Sequence, residues 1–375
     1  MPTDRPSATR RIPVAAPVLA GREREYVLDC LDSTWISSTG RYVTEFEQGF
    51  AAFCGVPHGI ACCNGTVAVH LALLAAGVGP GDEVIVPSLT YVASVNPIRL
   101  AGATPVFVDS EPGTWNLDPD AVAAAVTPRT KAIEVVHLYG HPADMDPILA
   151  VAREHGIAVI EDAAEAHGAE YRGRRVGSLG DIATFSFYGN KIITTGEGGM
   201  VVCHDDATEA HVRQLRGQGQ DPERRYWFPI LGFNYRMTNV AAAIGLGQLE
   251  MIDWHIERRR EIAGWYAAEL ADTPGISLSP QAEWARSVFW INCLLLDEGG
   301  EAERDALMAR LAERGVETRP FFYPIHTLPM YAEEAARAHL PVAESLAARG
   351  VNLPSGAGLT RDDVAYVAAA VRESL

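Results

Sequence analysis

Ile157-Ala-Val-Ile-Glu161-Asp162-Ala-Ala-Glu165-Ala-His167-Gly168 reads as a short apolar strand that runs out into carboxylates. Thr184-Phe-Ser186-Phe-Tyr-Gly-Asn-Lys191 follows, with the glycine-rich Gly196-Glu-Gly-Gly199 behind it. Short apolar runs bounded by turn residues are buried strands. Working outward from Ala158–Glu161, such runs recur at Gly59–Cys63, Glu83–Pro87, Thr104–Asp109, Ala132–His137, Ile182–Phe187 and Gly199–Cys203. Helix-like segments lie between them at Val67–Ala76, Ser94–Ala101, Pro119–Ala125 and Met145–Glu154. Strands alternating with helices predict right-handed crossovers and an α/β fold with a mainly parallel sheet.

After Gln248 the pattern changes. A charged helix over Glu250–Leu270 is expected to turn Glu257-Arg-Arg-Arg260 to solvent. Strand-like Phe289–Leu296, helix-like Ala302–Arg314, then Val316–Phe322 and a last helix near Arg361–Glu373 predict a smaller C-terminal α+β domain. The expected division is a disordered stretch over residues 1–12, a large domain over 13–250 and a small domain over 251–375.

Composition narrows the function. The 375 residues are 48% hydrophobic and 21% charged, an ordinary globular mix. With 31 basic and 48 acidic residues the formal charge is −17, which disfavours nucleic acid and anionic membrane surfaces. A local basic pocket for one phosphorylated ligand remains compatible with that charge. The scattered cysteines (Cys30, Cys54, Cys62, Cys63, Cys203, Cys293) form no C-x-x-C pair, which suits a reducing cytoplasm better than disulfides or zinc. Met1–Ile12 has no apolar core, so no signal peptide is expected. His137 and His141 are four apart, but Gly140 and Pro142 break any helix that would align them on a metal.

Open parallel sheets bind ligands at the carboxyl ends of their strands. Cys63-Asn64-Gly65-Thr66 runs into a helix, where free N–H groups and the helix dipole attract an anion; it also suits a plain cap. Asp162 is either a rim carboxylate or an N-cap, and His167 a satisfied packing histidine. Lys191 sits among small and apolar residues, where burial lowers an amine's pKa and makes it a Schiff-base nucleophile. Tyr91 is core packing or a platform for a flat ring. Taken together, a phosphate cradle, a platform, a carboxylate and a desolvated lysine are what pyridoxal phosphate requires.

From about Ile12 onward the chain resembles the DegT-type sugar-nucleotide aminotransferases, fold-type-I pyridoxal-phosphate (PLP) enzymes. The resemblance rests on Asn64-Gly-Thr, Glu161-Asp-Ala-Ala-Glu-Ala-His-Gly, Ser186-Phe-Tyr-Gly-Asn-Lys191 and Gly232-Phe-Asn-Tyr-Arg-Met-Thr-Asn239. Within the family, Val136-His-Leu-Tyr-Gly-His-Pro and Arg319-Pro-Phe-Phe-Tyr-Pro-Ile-His326 look most like the perosamine-forming branch. The resemblance implies that Lys191 forms the Schiff base, Asp162 pairs with the pyridine nitrogen and Glu165, often Gln in relatives, lies near the phenolic oxygen. It also implies that Tyr91 stacks on the ring, and that Gly65, Thr66 and Ser186 hold the phosphate, joined by Asn234 of a second subunit. Val67 stands where relatives often carry a small or hydroxyl residue.

The expected activity is amino transfer from L-glutamate to a nucleotide-linked 4-keto-6-deoxy sugar, GDP-4-keto-6-deoxymannose in the perosamine branch. The expected assembly is a homodimer with shared active sites. The loop Arg319–His326 is expected to turn Tyr323 and His326 to the sugar, or to be a packed linker. Three alternatives stay open: another keto sugar or cyclitol, a sugar 3-dehydratase (whose relatives carry histidine in place of the lysine), and a non-catalytic regulator.

Overall fold

Burial dictates the central sheet. Val84, Ile85, Val86, Ile133, Val135, Ile160 and Val201 carry almost no exposed surface, as expected of strands covered on both faces by helices. The computed structural model describes residues 10–336 and 338–375. Its main sheet has seven strands: β1 (His58–Cys62), β2 (Glu83–Pro87), β3 (Thr104–Val108), β4 (Thr130–Val136), β5 (Ala158–Asp162), β6 (Ile182–Ser186) and β7 (Gly199–Cys203). The spatial order is β1-β7-β6-β5-β4-β2-β3. Every pairing from β6 across to β3 is parallel. β7 runs antiparallel to both neighbours, so it closes the sheet without a crossover helix. The mainly parallel α/β expectation holds, with that one reversed strand.

Helices cover both faces. Helix α1 (Glu23–Asp32) and α2 (Arg41–Cys54) precede the sheet; α3 (Gly65–Ala75), α4 (Asn96–Leu100), α5 (Pro119–Ala125) and α6 (Met145–His155) connect its strands. Helix α7 (Asp206–Arg216), α8 (Asn239–Leu249) and α9 (Ile252–Leu270) follow. α1, α2, α7 and α8 are absent from the sequence-based segments above. α8, for example, is alanine- and glycine-rich without a polar face, so periodicity does not mark it.

A second sheet is built from β8 (Ile276–Leu278), β9 (Asn292–Leu296), β10 (Arg319–Pro320) and β11 (Gly350–Leu353), in the order β8-β9-β11-β10. α9 spans two cores: Ile252 and Ile256 pack on the first, Ile262, Tyr266 and Leu270 on the second. Phe321, Ile325, Tyr331 and Leu346 return to the first core.

Two expectations are corrected. Residues 1–9 lie outside the described residues, but Arg10–Ile12 are ordered. Ile12 is buried in the second core and bonds in register with the chain near Val316, its N–H donating to Gly315 O at 2.8 Å. The charged run of α9 is not a solvated face either. Glu257 is exposed, whereas Arg259 is 3% exposed, because successive helix positions turn by 100° and one of three arginines must point inward. No helix among the described residues is long and apolar enough to cross a membrane.

One buried residue contradicts good packing. Glu134 of β4 lies opposite Ile160 of β5, on the same face of the sheet as Asp162. It is fully buried, and among the described residues neither carboxyl oxygen has a hydrogen-bond partner. Burial, helped by the Asp162 charge, pushes its pKa well above the ordinary value near 4.5. The folded chain therefore keeps a proton that the unfolded chain releases, and stability falls as pH rises through that window. Glu134→Met is expected to stabilise the protein at pH 8 by about 2 kcal/mol, with the gain vanishing below about pH 4.5. Thermal melts at both pH values check this; equal melting of variant and parent at pH 8 would refute it.

Candidate active site

The carboxyl ends of β5 and β6 lie side by side, Asp162 opposite Thr184, with Ser186 at the end of its strand. Asp162 is held from two sides: Ser94 Oγ–H donates to Oδ2 at 2.8 Å and Ala164 N–H to Oδ1 at 3.0 Å. Ser94 is itself placed by Thr90 Oγ1 at 2.9 Å. No helix follows Asp162, so it is not a helix N-cap; it caps a turn with one oxygen at the rim of the sheet.

The anion cradle forms where β1 gives way to α3. Asn64 Oδ1 accepts from Val67 N at 3.0 Å, and the helix begins at Gly65, two residues earlier than its apolar pattern suggests. Among the described residues the N–H groups of Gly65 and Thr66 have no protein acceptor, so they remain available to an anion. Gly65 is required here, because a Cβ would lie 2.7 Å from Ser186 Cβ.

Lys191 follows in the turn after β6. Its side chain is 12% exposed, with Nζ 3.9 Å from Glu165 Oε1 and 3.9 Å from the centroid of the Trp290 ring. Burial pulls this amine below the ordinary lysine range; Glu165 and Asp162 pull it back up, and Arg259 adds to the lowering. Glu165 accepts the Tyr139 N–H at 2.7 Å. Tyr139 reaches it from a left-handed conformation, φ 53°, and Gly140 follows at φ 95°, where a Cβ would meet Trp290 N at 2.8 Å. Burial pushes Glu165 up to about 7, although Lys191 and the Tyr139 N–H both oppose the rise.

A carboxyl half-ionised near neutrality, beside a lysine, makes the site pH-sensitive. Above about pH 7 the charged Glu165 favours the ammonium form of Lys191; below it that bias is lost. Glu165→Gln is expected to remove an inflection near pH 7 from the kcat/KM profile. A profile unchanged by the substitution would show that Glu165 does not titrate there.

Other expected residues are more scattered. Tyr91, just past β2, is 57% exposed, and its ring centroid is 5.6 Å from that of Phe322. Tyr323 is half exposed on the neighbouring loop. His326 corrects its expected role as a sugar contact. It is buried, Nδ1 is 2.7 Å from Ser88 Oγ and Nε2 is 3.1 Å from Glu344 Oε1, so neither nitrogen is left for a hydroxyl. It ties its loop to the end of β2. Asn234 is exposed and bridges Gly217 within its own chain. His167 packs among Phe50, Phe185 and Phe187, and among the described residues neither ring nitrogen makes a well-aligned hydrogen bond. Burial lowers its pKa to about 3, which keeps it neutral.

Trp290, Arg259, Ser94 and Tyr139 are the site residues that the sequence patterns miss. Trp290 comes from the second sheet's side of the chain and donates Nε1–H to Asn190 O at 2.8 Å. A further signal was present: the chain has only two lysines, Lys131 and Lys191, among 31 basic residues.

The model of the DegT/DnrJ/EryC1/StrS aminotransferase family matches residues 17–372. The chain belongs to this aminotransferase family. GDP-perosamine synthase of Caulobacter vibrioides is 58% identical over 97% of this chain and 98% of the relative. The same-named protein of Escherichia coli O157:H7 is 48% identical over 96% and 98%. The PLP form of Streptococcus pneumoniae Spr1654 superposes with a TM-score of 0.92 at 28% identity, over 97% of this chain and 98% of that one.

The residues of this aminotransferase fit the cofactor its family implies. Two unpaired N–H groups and a serine hydroxyl suit a phosphate, a doubly held carboxylate suits a protonated pyridine, and a low-pKa amine suits an aldehyde. Gly65, Thr66 and Ser186 would hold the phosphate, Asp162 the ring nitrogen and Lys191 the aldehyde carbon.

Proposed function

We propose that this aminotransferase moves the amino group of L-glutamate onto GDP-4-keto-6-deoxymannose, giving GDP-perosamine. The observation that carries the proposal is 58% identity to a GDP-perosamine synthase along almost the whole of both chains. When bound, PLP supplies a carbonyl carbon for the amine and a ring that takes up an electron pair. Asp162 orients the ring and keeps its nitrogen charged. Lys191 Nζ, kept toward its neutral form by burial, accepts the donor's α-proton and returns a proton in the sugar half-reaction.

An exposed tip supports a nucleotide-linked substrate. In a chain of net charge −17, Arg224 lies 4.2 Å from the Trp227 ring centroid and Arg225 lies 4.9 Å from that of Tyr226. Guanidinium groups beside aromatic faces suit a diphosphate and a base. We assign Tyr323 to the sugar side, on its exposure in the loop that His326 anchors. A panel of 4-keto and 3-keto nucleotide sugars with glutamate tests the proposal by 2-oxoglutarate release. GDP-4-keto-6-deoxymannose is expected to lead in kcat/KM by at least about tenfold. A 3-keto or thymidine-linked sugar in first place would overturn it.

We propose further a cytoplasmic homodimer with shared sites. Trp35, Ile36, Tyr226, Phe228 and Leu231 are half to almost fully exposed, an apolar surface that a second copy would cover. The loop with Asn234 continues that surface. Mixing inactive Lys191→Ala subunits with Asn234→Ala subunits is expected to restore part of the activity, since one hybrid site regains both residues. No recovery in a mixture shown to exchange subunits would refute sharing. Six free thiols, five of them buried, suit a reducing compartment.

A further inference from the structure

Arg259 is a buried cation with no anion beside it. Its guanidinium, on α9, makes only carbonyl contacts: Nη1 donates to Trp290 O at 2.6 Å and to Ser355 O at 3.2 Å, and Nη2 to Lys191 O at 3.2 Å. Nε has no partner. Among the described residues no carboxylate pairs with it, unlike Arg213 and Arg216, which both reach Glu47. Burial lowers even this guanidinium to about 10. Burying an uncompensated charge costs several kcal/mol, so packing alone gives a poor reason for its presence.

Its contacts converge on one object. Trp290 and Lys191 are both held by Arg259 through their carbonyls, and Trp290 also holds the residue before Lys191 through Asn190 O. The same Trp290 lays its ring face 3.9 Å from Lys191 Nζ. Every titratable group that bears on Nζ has a known side. Glu165, just past β5, and Asp162, its last residue, favour an ammonium; Arg259, on α9, disfavours it. His167 is neutral.

We propose that Arg259 is a positioning residue for the amino-transfer reaction: it fixes Lys191 and Trp290 to one another, and its unpaired charge opposes a second positive charge at Nζ. This rests on the assignment of Lys191 as the reacting amine but not on the identity of the sugar. Two carboxylates converge on the lysine, and Arg259 is the cation that offsets them. The guanidinium thereby acts through Lys191 without touching substrate.

The test uses the full-length protein stripped of cofactor, pulsed with acetic anhydride across a pH series, with acetylation read by mass spectrometry. Lys131, exposed and remote in sequence, is the internal reference. Arg259→Met is expected to raise the pH midpoint for Lys191 acetylation by about one unit, a tenfold smaller neutral fraction, and to leave Lys131 unchanged. Arg259→Lys keeps the charge and is expected to stay near the parent midpoint. Arg259→Gln keeps carbonyl donors, removes the charge and carries the same expectation as Met if that variant fails to fold. A purely structural Arg259 would lower melting temperature in all variants without moving the Lys191 midpoint, and that result overturns the proposal. Equal shifts in the Lys and uncharged variants would overturn it as well. Failure of the sugar assignment would leave these midpoints untouched.

Discussion

Lys191→Ala is expected to lower transamination by at least about 10⁴-fold while the protein stays folded. The loss combines a proton carrier, worth about 10²–10⁴, with the covalent anchor for the cofactor. The amine's neighbours are the Trp290 face and Glu165, so the substitution breaks no backbone hydrogen bond of the sheet. Without the lysine's charge Glu165 rises above about 7, so protonation relieves the buried carboxyl. Steady-state turnover and a thermal melt check both halves. Turnover within tenfold of the parent would remove Lys191 from the chemistry.

Asp162→Asn is expected to cost about 10²–10³ in kcat, equivalent to about 3–4 kcal/mol of lost charge pairing. The exchange keeps the geometry. Asparagine Oδ1 can still accept from Ala164 N–H, and the Ser94 hydroxyl can turn to accept from Nδ2. What disappears is the negative charge proposed to pair with the ring nitrogen. The proposed phosphate cradle at Gly65, Thr66 and Ser186 is untouched, so cofactor binding should weaken less than turnover. Normal turnover in Asp162→Asn would leave the residue as a turn cap only.

Charge sets the direction of the remaining contrast at this site. Asp162 accepts from two neutral donors, whereas Glu134, on the same face, has no hydrogen-bond partner among the described residues and burial favours its protonated form. Burial without a donor thus separates Glu134 from the hydrogen-bonded Asp162 on the same face of the sheet.

The succession of strands along the chain, and several residues that gather at their carboxyl ends, were legible in the amino-acid sequence. Glu83–Pro87 and Gly199–Cys203 form strands, and Pro119–Ala125 a helix, within the limits that apolar runs and flanking turn residues mark. Asp162, Ser186 and Lys191 were legible because adjacent parallel strands end at one rim, so residues just past each strand converge. What packing decided lay beyond that local rule. β7 reads like its neighbours yet runs backwards, since an apolar run carries no direction. Arg259 looked like one charge in a solvated run, and His326 like a free ligand. Only the approach of α9 to Lys191, and of Ser88 and Glu344 to His326, set their roles. Trp290 stands 99 positions from the amine it covers. Such pairings depend on how two cores dock, and docking is settled by the summed burial of both surfaces, which no single stretch of sequence encodes.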